Sequence, residues 1–201
     1  LNTSYDGCPT PDFDPPNITM FTPKLLNTDQ WVDAMKALNA SYAVLVVKHN
    51  CGFTLFPTKA VVPSSGKPYA YDVSHSPIAG IDIAKNFVDS CRKAGIRTGF
   101  YYSIVNNLYC HVSGGQVQPA SKLRPGMLNV TQDDYNKIVL FQLRELWTNY
   151  GPLEEIWFDG GYTAELKDEL QAMLMELQPN ANVFNGAGVT PNPVKWICTE
   201  S

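Results

Sequence analysis

Long apolar runs are missing from this chain. No segment approaches the roughly 20 residues that a bilayer-crossing helix needs, and the start, Leu1-Asn2-Thr3-Ser4, has neither the basic region nor the apolar core of a signal peptide. The expectation is a chain already processed, or cut from something longer. A surplus of one charge is missing too: a formal net charge of −4 over 201 residues, with acids and bases interspersed, offers no concentrated field for nucleic acid or an anionic membrane. A neutral partner fits that balance better. No Gly-rich phosphate loop follows any strand-like run, which argues against a nucleotide-binding doubly wound fold. The five cysteines, Cys8, Cys51, Cys91, Cys110 and Cys198, are too far apart for a zinc site and have no closely spaced histidines. No structural metal is expected. In an oxidising compartment the odd count leaves one thiol free, or paired with a partner elsewhere.

What is present suffices for one sizeable core, with 44% hydrophobic and 17% charged residues. Asn-x-Ser/Thr sequons occur at Asn2, Asn17, Asn39 and Asn129. Together they favour an extracellular or lysosomal glycoprotein. Residues 1–27 read as an irregular segment broken by Pro9, Pro11, Pro15, Pro16 and Pro23, and residues 28–201 as the structured unit. From Thr28, Trp31, Val32, Met35 and Leu38 make one apolar helical face, and Tyr42 to Val47 is the unbroken β-branched run of a strand buried on both sides.

That alternation recurs. Ile83, Phe87, Val88 and Cys91 mark a helix that Gly95 ends before a strand over Ile96 to Ser103. Thr131 and Asp134 form a capping-box-like start to a long helix facing inward through Tyr135, Ile138, Val139, Phe141, Leu143 and Leu146, with Glu155 to Phe158 as the next strand. A further helix begins near Thr163 and buries Leu166, Leu170, Met173, Leu174 and Leu177, followed by short strands at Asn182 to Phe184 and Lys195 to Ile197. Repeated strand and helix imply a parallel α/β sheet, and without a phosphate loop the preferred reading is a partial (β/α)8 TIM-like barrel of about five to six strands.

In such a barrel chemistry sits where strands end at their C-termini. Three polar stretches follow buried runs: Lys48-His49-Asn50-Cys51-Gly52-Phe53, Trp157-Phe158-Asp159-Gly160-Gly161, and Trp196-Ile197-Cys198-Thr199-Glu200. Asp159 and Glu200 are carboxylates on different strand ends, the pair that glycoside hydrolysis needs to protonate a leaving oxygen while the anomeric carbon is attacked from the other side. Ordinary explanations stand beside this one. An Asp before Gly-Gly also forms turns, a Glu near a chain end is often a solvated surface group, and His49, Trp157 and Trp196 can be core residues. Strand alternation aims Trp157 and Asp159 to one side, which would set an aromatic wall beside a carboxylate. His75 and His111 fall in Pro/Gly-rich loops. Asp133, Asp134, Glu165, Asp168 and Glu169 are explained by polar helix faces and first turns.

At these places the sequence resembles the alpha-L-fucosidases of glycoside hydrolase family twenty-nine, especially the branch that cleaves alpha-1,3/1,4-linked fucose. The similarity runs from about Phe21 to Glu200. It rests on Ala43-Val44-Leu45-Val46-Val47-Lys48-His49 with Gly52-Phe53, on Gly99-Phe100-Tyr101-Tyr102-Ser103, on Asn149-Tyr150-Gly151-Pro152 with Glu155-Ile156-Trp157-Phe158-Asp159-Gly160, on Gln178-Pro179-Asn180-Ala181 and on Trp196 to Glu200. The resemblance implies Asp159 as nucleophile of a retaining reaction, Glu200 as acid/base, and His49, Tyr101 and Trp157 as fucose contacts, with Asn50 at a substrate-binding position. It implies fucosylated glycans as substrate and no cofactor. Asn50 and Cys51 stand where the family usually has a second histidine and an aspartate, and an amide hydrogen-bonds a sugar without titrating near neutrality. The family's first strand and its last strands with the C-terminal β domain are not found, so the expectation is a fragment completed by the rest of a processed polypeptide or by a partner chain. The rival expectation is a catalytically silent, glycan-binding or structural relative; an inverting hydrolase is a third, and would set the carboxyls roughly 6.5–9.5 Å apart instead of about 5–5.5 Å.

Overall fold

A computed structural model describes residues 14–197. Its main sheet is built from five strands: β1 (Tyr42–Lys48), β2 (Arg97–Ser103), β5 (Glu155–Asp159), β6 (Asn182–Phe184) and β7 (Pro193–Val194). They lie in the order β1-β2-β5-β6-β7, and every neighbouring pair is parallel. A two-stranded hairpin, β3 (Val112–Ser113) and β4 (Gln116–Val117), decorates the loop that leaves β2. Helix α1 (Thr28–Ala37) precedes β1; α2 (Ile83–Lys93), α3 (Gln132–Asn149) and α4 (Lys167–Leu177) connect successive strands of the main sheet. Parallel neighbours need such crossovers.

The sheet has two unlike faces. Val47, Phe100, Tyr102, Ile156, Phe158 and Val183 point to one side and are buried, beneath helices whose inner residues include Phe87, Ile138, Leu143 and Leu170. Each large aliphatic or aromatic side chain withdrawn from water in this way stabilises the fold by about 1.5–3 kcal/mol. The opposite face carries Val46, Tyr101, Trp157 and Phe184 in one register row, and Val46 is 42% exposed there. Gly99 lies on this face for a steric reason: a Cβ would come within 2.5 Å of the Glu155 carbonyl oxygen and 3.1 Å of Val44 Cγ2.

The helix starts follow the local chemistry. Asn27 accepts from Gln30 N at 3.2 Å and Asp82 from Lys85 N at 2.9 Å, satisfying backbone donors that a first turn leaves open. At α3 the capping box expected from Thr131 and Asp134 forms. Asp134 is no solvated first-turn acid, however. It is buried and accepts from Ser64 N and Oγ, both at 2.8 Å, and from Thr131 N at 3.0 Å and Oγ1 at 2.8 Å. Burial pushes its carboxyl up, but the hydrogen bonds from Thr131 and Ser64 outweigh that and hold it at about 2.

Three other expectations change. Leu38 and Phe141 are 82% and 46% exposed instead of facing the core, since Leu38 caps α1 and Phe141 sits at the edge of the α3 apolar stripe. The last strand pairs through Pro193 and Val194, ahead of the expected Lys195 to Ile197. A proline is tolerable there because it opens a very short strand.

Candidate functional site

Among the described residues expected to contact the sugar, His49 and Asn50 follow the last residue of β1, and Tyr101 and Trp157 lie two residues short of the C-terminal ends of β2 and β5. Asp159 ends β5, and Tyr101 on β2 donates its hydroxyl hydrogen to Asp159 Oδ2. The register explains the contact: Tyr101 pairs with Trp157 and Ser103 with Asp159, so Tyr101 and Asp159 share a face two residues apart along the strands. Gly160 has φ +69° and lets the chain turn away, while a Cβ there would meet Val105 Cγ2 at 2.5 Å.

Aromatic rings form a row across the strand tips. His49 stacks on Tyr101 with centroids 5.5 Å apart and planes at 14°. Tyr101 lies 5.7 Å from Trp157, and Trp157 lies 4.4 Å from Phe184. Trp196 extends the row, 6.2 Å from Trp157 and 5.8 Å from Phe184. Rings at these separations gain contact energy beyond burial and leave an aromatic wall of mutually tilted rings along the sheet. The Trp157 Nε1–H is buried and has no acceptor among the described residues.

The stretch after β1 is held rigidly. Asn50 Oδ1 accepts from Ser103 Oγ at 2.9 Å, which leaves its amide nitrogen as the group to donate. Tyr69 Oη donates to the Gly52 carbonyl at 2.5 Å, and Asn107 Nδ2 donates to Tyr69 Oη at 3.1 Å. Gly52, at φ +89°, is required here because a Cβ would fall 2.2 Å from Asn107 Oδ1.

Beneath the site lies a residue whose role the sequence did not disclose. Lys48 is fully buried; its Nζ donates to the Ser103 carbonyl and, at 3.4 Å, to the Asn106 carbonyl, and sits 4.4 Å from the centre of the Tyr102 ring. Burial pulls its amine down to about 7, against a smaller upward pull from Cys110. Cys110 is itself buried, and burial pushes that thiol up to about 12. Lys48 thus ties β1 to the turn after β2 from below and touches Ser103, the residue that orients Asn50. Phe184 is the other functional neighbour that sequence reasoning passed over; its register partnership with Trp157 was the available signal.

Glu200, the second expected carboxylate, and the sequon at Asn2 lie outside the described residues. Asn17, Asn39 and Asn129 are exposed. His75 makes a 3.1 Å contact from Nδ1 to Asp72 Oδ1. Among the described residues no group of three His, Cys, Asp or Glu side chains could hold a metal ion, and no helix is long and apolar enough to cross a membrane.

The family model described as Alpha-L-fucosidase matches residues 5–191. Among curated relatives, Alpha-L-fucosidase 1 of Arabidopsis thaliana is 29% identical, covering 92% of this chain and 33% of the plant protein. The Plasma alpha-L-fucosidase of Homo sapiens is 27% identical over 79% of this chain and 32% of its own length. The solved structure of alpha-L-fucosidase isoenzyme 1 from Paenibacillus thiaminolyticus matches with a TM-score of 0.66 at 27% identity, over 85% of this chain and 40% of that one. The chain spans about a third of the length of the curated relatives it matches. The structural neighbours are (β/α)8 barrel domains, of which the parallel sheet described above forms a part.

Proposed function

The chain belongs to the alpha-L-fucosidase family, and on that premise we propose that the polypeptide carrying it is a retaining glycoside hydrolase that removes terminal alpha-L-fucose from glycans or glycoproteins. The observation that carries this reading is Asp159 at the tip of β5, its Oδ2 held by the Tyr101 hydroxyl within a row of aromatic rings. In this mechanism the Asp159 carboxylate attacks the anomeric carbon as the bond to the leaving oxygen breaks, and Glu200 gives that oxygen its proton. Water then attacks the glycosyl ester, Glu200 takes the water's proton, and Asp159 departs as a carboxylate. Tyr101 fixes the carboxylate's orientation. Trp157 and His49 supply walls for the sugar, and Asn50 donates to one of its hydroxyls.

The proposal extends to several finer points. Residues 28–201 are the part of the barrel contained in this chain, and further strands from the rest of the polypeptide or a partner chain complete it, in keeping with the greater length of the relatives. The linkage class is alpha-1,3/1,4, on the resemblance of the strand-end segments. The compartment is extracellular or lysosomal: three sequon asparagines are exposed, and a relative is named for plasma. The test is release of nitrophenol from an aryl alpha-L-fucoside by the full polypeptide. Turnover by the native protein with a loss of about a thousandfold or more in Asp159→Asn is expected. Equal inertness of both, with retained glycan binding, would replace the hydrolase by a glycan-binding relative.

A further inference from the structure

Next to Asp159 opens a cleft of about 730 Å³, bounded by Gly160 and Gly161 and by the ends of the neighbouring elements. Its described lining contains two charged side chains, Lys167 and Lys195, and no acidic one. Both lysines are exposed, and neither makes an ion pair among the described residues.

Helix stability does not explain Lys167. It is the first residue of α4, where the helix dipole disfavours a cation and the following Asp168 and Glu169 are the favourable charges. Glu165, two residues earlier, has its carboxyl held below the usual range chiefly by a backbone hydrogen bond at Glu165 itself. Gly188, at φ +91°, places the position of a Cβ 3.2 Å from Tyr162 Oη and 4.0 Å from Lys167 Nζ, and Tyr162 Oη donates to the Ala187 carbonyl at 2.6 Å.

The cleft is joined to the sugar site by Trp196, which lines it and also belongs to the aromatic row through Trp157 and Phe184. Lys195 and Trp196 precede Glu200 by five and four residues in sequence. In the proposed mechanism the acid/base is therefore carried by the chain segment that follows the cleft lining in sequence.

We propose that this cleft is a leaving-group subsite for an anionic substituent, a sulfate ester or a carboxylate, carried by the glycan beyond its fucose and read by Lys167 and Lys195. The inference rests on the hydrolase reading for its orientation and adds a substrate class to it. Two solvent-exposed cation–anion contacts correspond to a preference of roughly three- to tenfold, one that shrinks as salt screens it.

The test uses the full polypeptide and matched fucosylated oligosaccharides that are neutral, sulfated or carboxylated on the sugar beyond fucose. The ratio of kcat/KM for anionic over neutral substrate is expected at about three- to tenfold in low salt, falling toward one in high salt and in K167Q/K195Q. The sulfated and carboxylated arms separate the two anion sources. The same ratio is read in dissociation constants by calorimetry on Asp159→Asn protein, which needs no turnover. A ratio of one in the native protein, or one that K167Q/K195Q leaves in place, overturns the subsite. Failure to cleave an aryl fucoside instead overturns the hydrolase reading, and the binding ratio still decides whether the cleft takes an anion.

Discussion

Replacing Lys48 by Met separates the cost of a buried charge from its benefit to the site. The amine is held at about 7 in the fold, against an ordinary 10.5. Its pKa is depressed, so between those values the unfolded chain binds more protons than the folded one, and stability rises with pH across that window. Below about pH 7 both states carry the proton and the slope vanishes. The linkage ceiling is about 5 kcal/mol, and relaxation around the cation leaves about 2–3 kcal/mol to be realised. K48M removes this pH-dependent penalty. It also strips a donor from the Ser103 and Asn106 carbonyls, a loss of about 1–3 kcal/mol. Urea unfolding of both proteins from pH 6 to pH 10 measures the outcome. The gap in stability between native and K48M should widen in favour of the native protein as pH rises, while the titration of Cys110 and the tyrosines, common to both, largely cancels. Activity of K48M should fall about tenfold, because Ser103, which orients Asn50, loses its support. Parallel stability curves would refute the reasoning: Lys48 would then keep its charge in the fold throughout.

Other consequences are open to measurement. Tyr101→Phe removes the hydroxyl that donates to Asp159; the expected loss is about tenfold or more in kcat with the thermal midpoint nearly unchanged, read from steady-state kinetics and calorimetry. Asp134→Ala deletes four hydrogen bonds at the start of α3 and should cost about 2–3 kcal/mol at neutral pH. Because the Asp134 carboxyl is held at about 2, its contribution is fully present above about pH 4 and is lost as pH falls toward 2, so native and D134A stabilities should converge under acid. Gly160→Ala combines a φ of +69° with a Cβ 2.5 Å from Val105 Cγ2; it should lower stability by about 1–3 kcal/mol and kcat more than KM, since the strain falls on the residue beside Asp159.

The parallel architecture could be read from the chain because its signals are local and repeated. The β-branched run Tyr42 to Val47, the spacing of Ile83, Phe87 and Cys91, and the Thr131 cap each specify an element without tertiary help. Alternation also placed Trp157 and Asp159 on one side, and the structure adds Tyr101 to that face. What was not legible depended on neighbours far away in sequence. The burial of Lys48 needs the Ser103 and Asn106 carbonyls, and the burial of Asp134 needs Ser64, 70 positions earlier. Leu38 and Phe141 fit an apolar period yet fall at its margin, where a helical wheel cannot tell cover from solvent. Pro193 hid β7, since a proline weakens any strand reading. The unpaired charge of Lys167 is likewise invisible along the sequence, where Glu165, Asp168 and Glu169 surround it.

The most direct measurement of the chemistry is to trap the glycosyl ester itself. A 2-fluoro-fucosyl fluoride forms such an ester and slows its hydrolysis, and peptide mass spectrometry then locates the attached sugar. The expected result is one fluorofucosyl group on Asp159, absent from Asp159→Asn protein. An adduct on a different carboxylate, or active enzyme that turns over fucosides without ever labelling Asp159, would contradict the assignment.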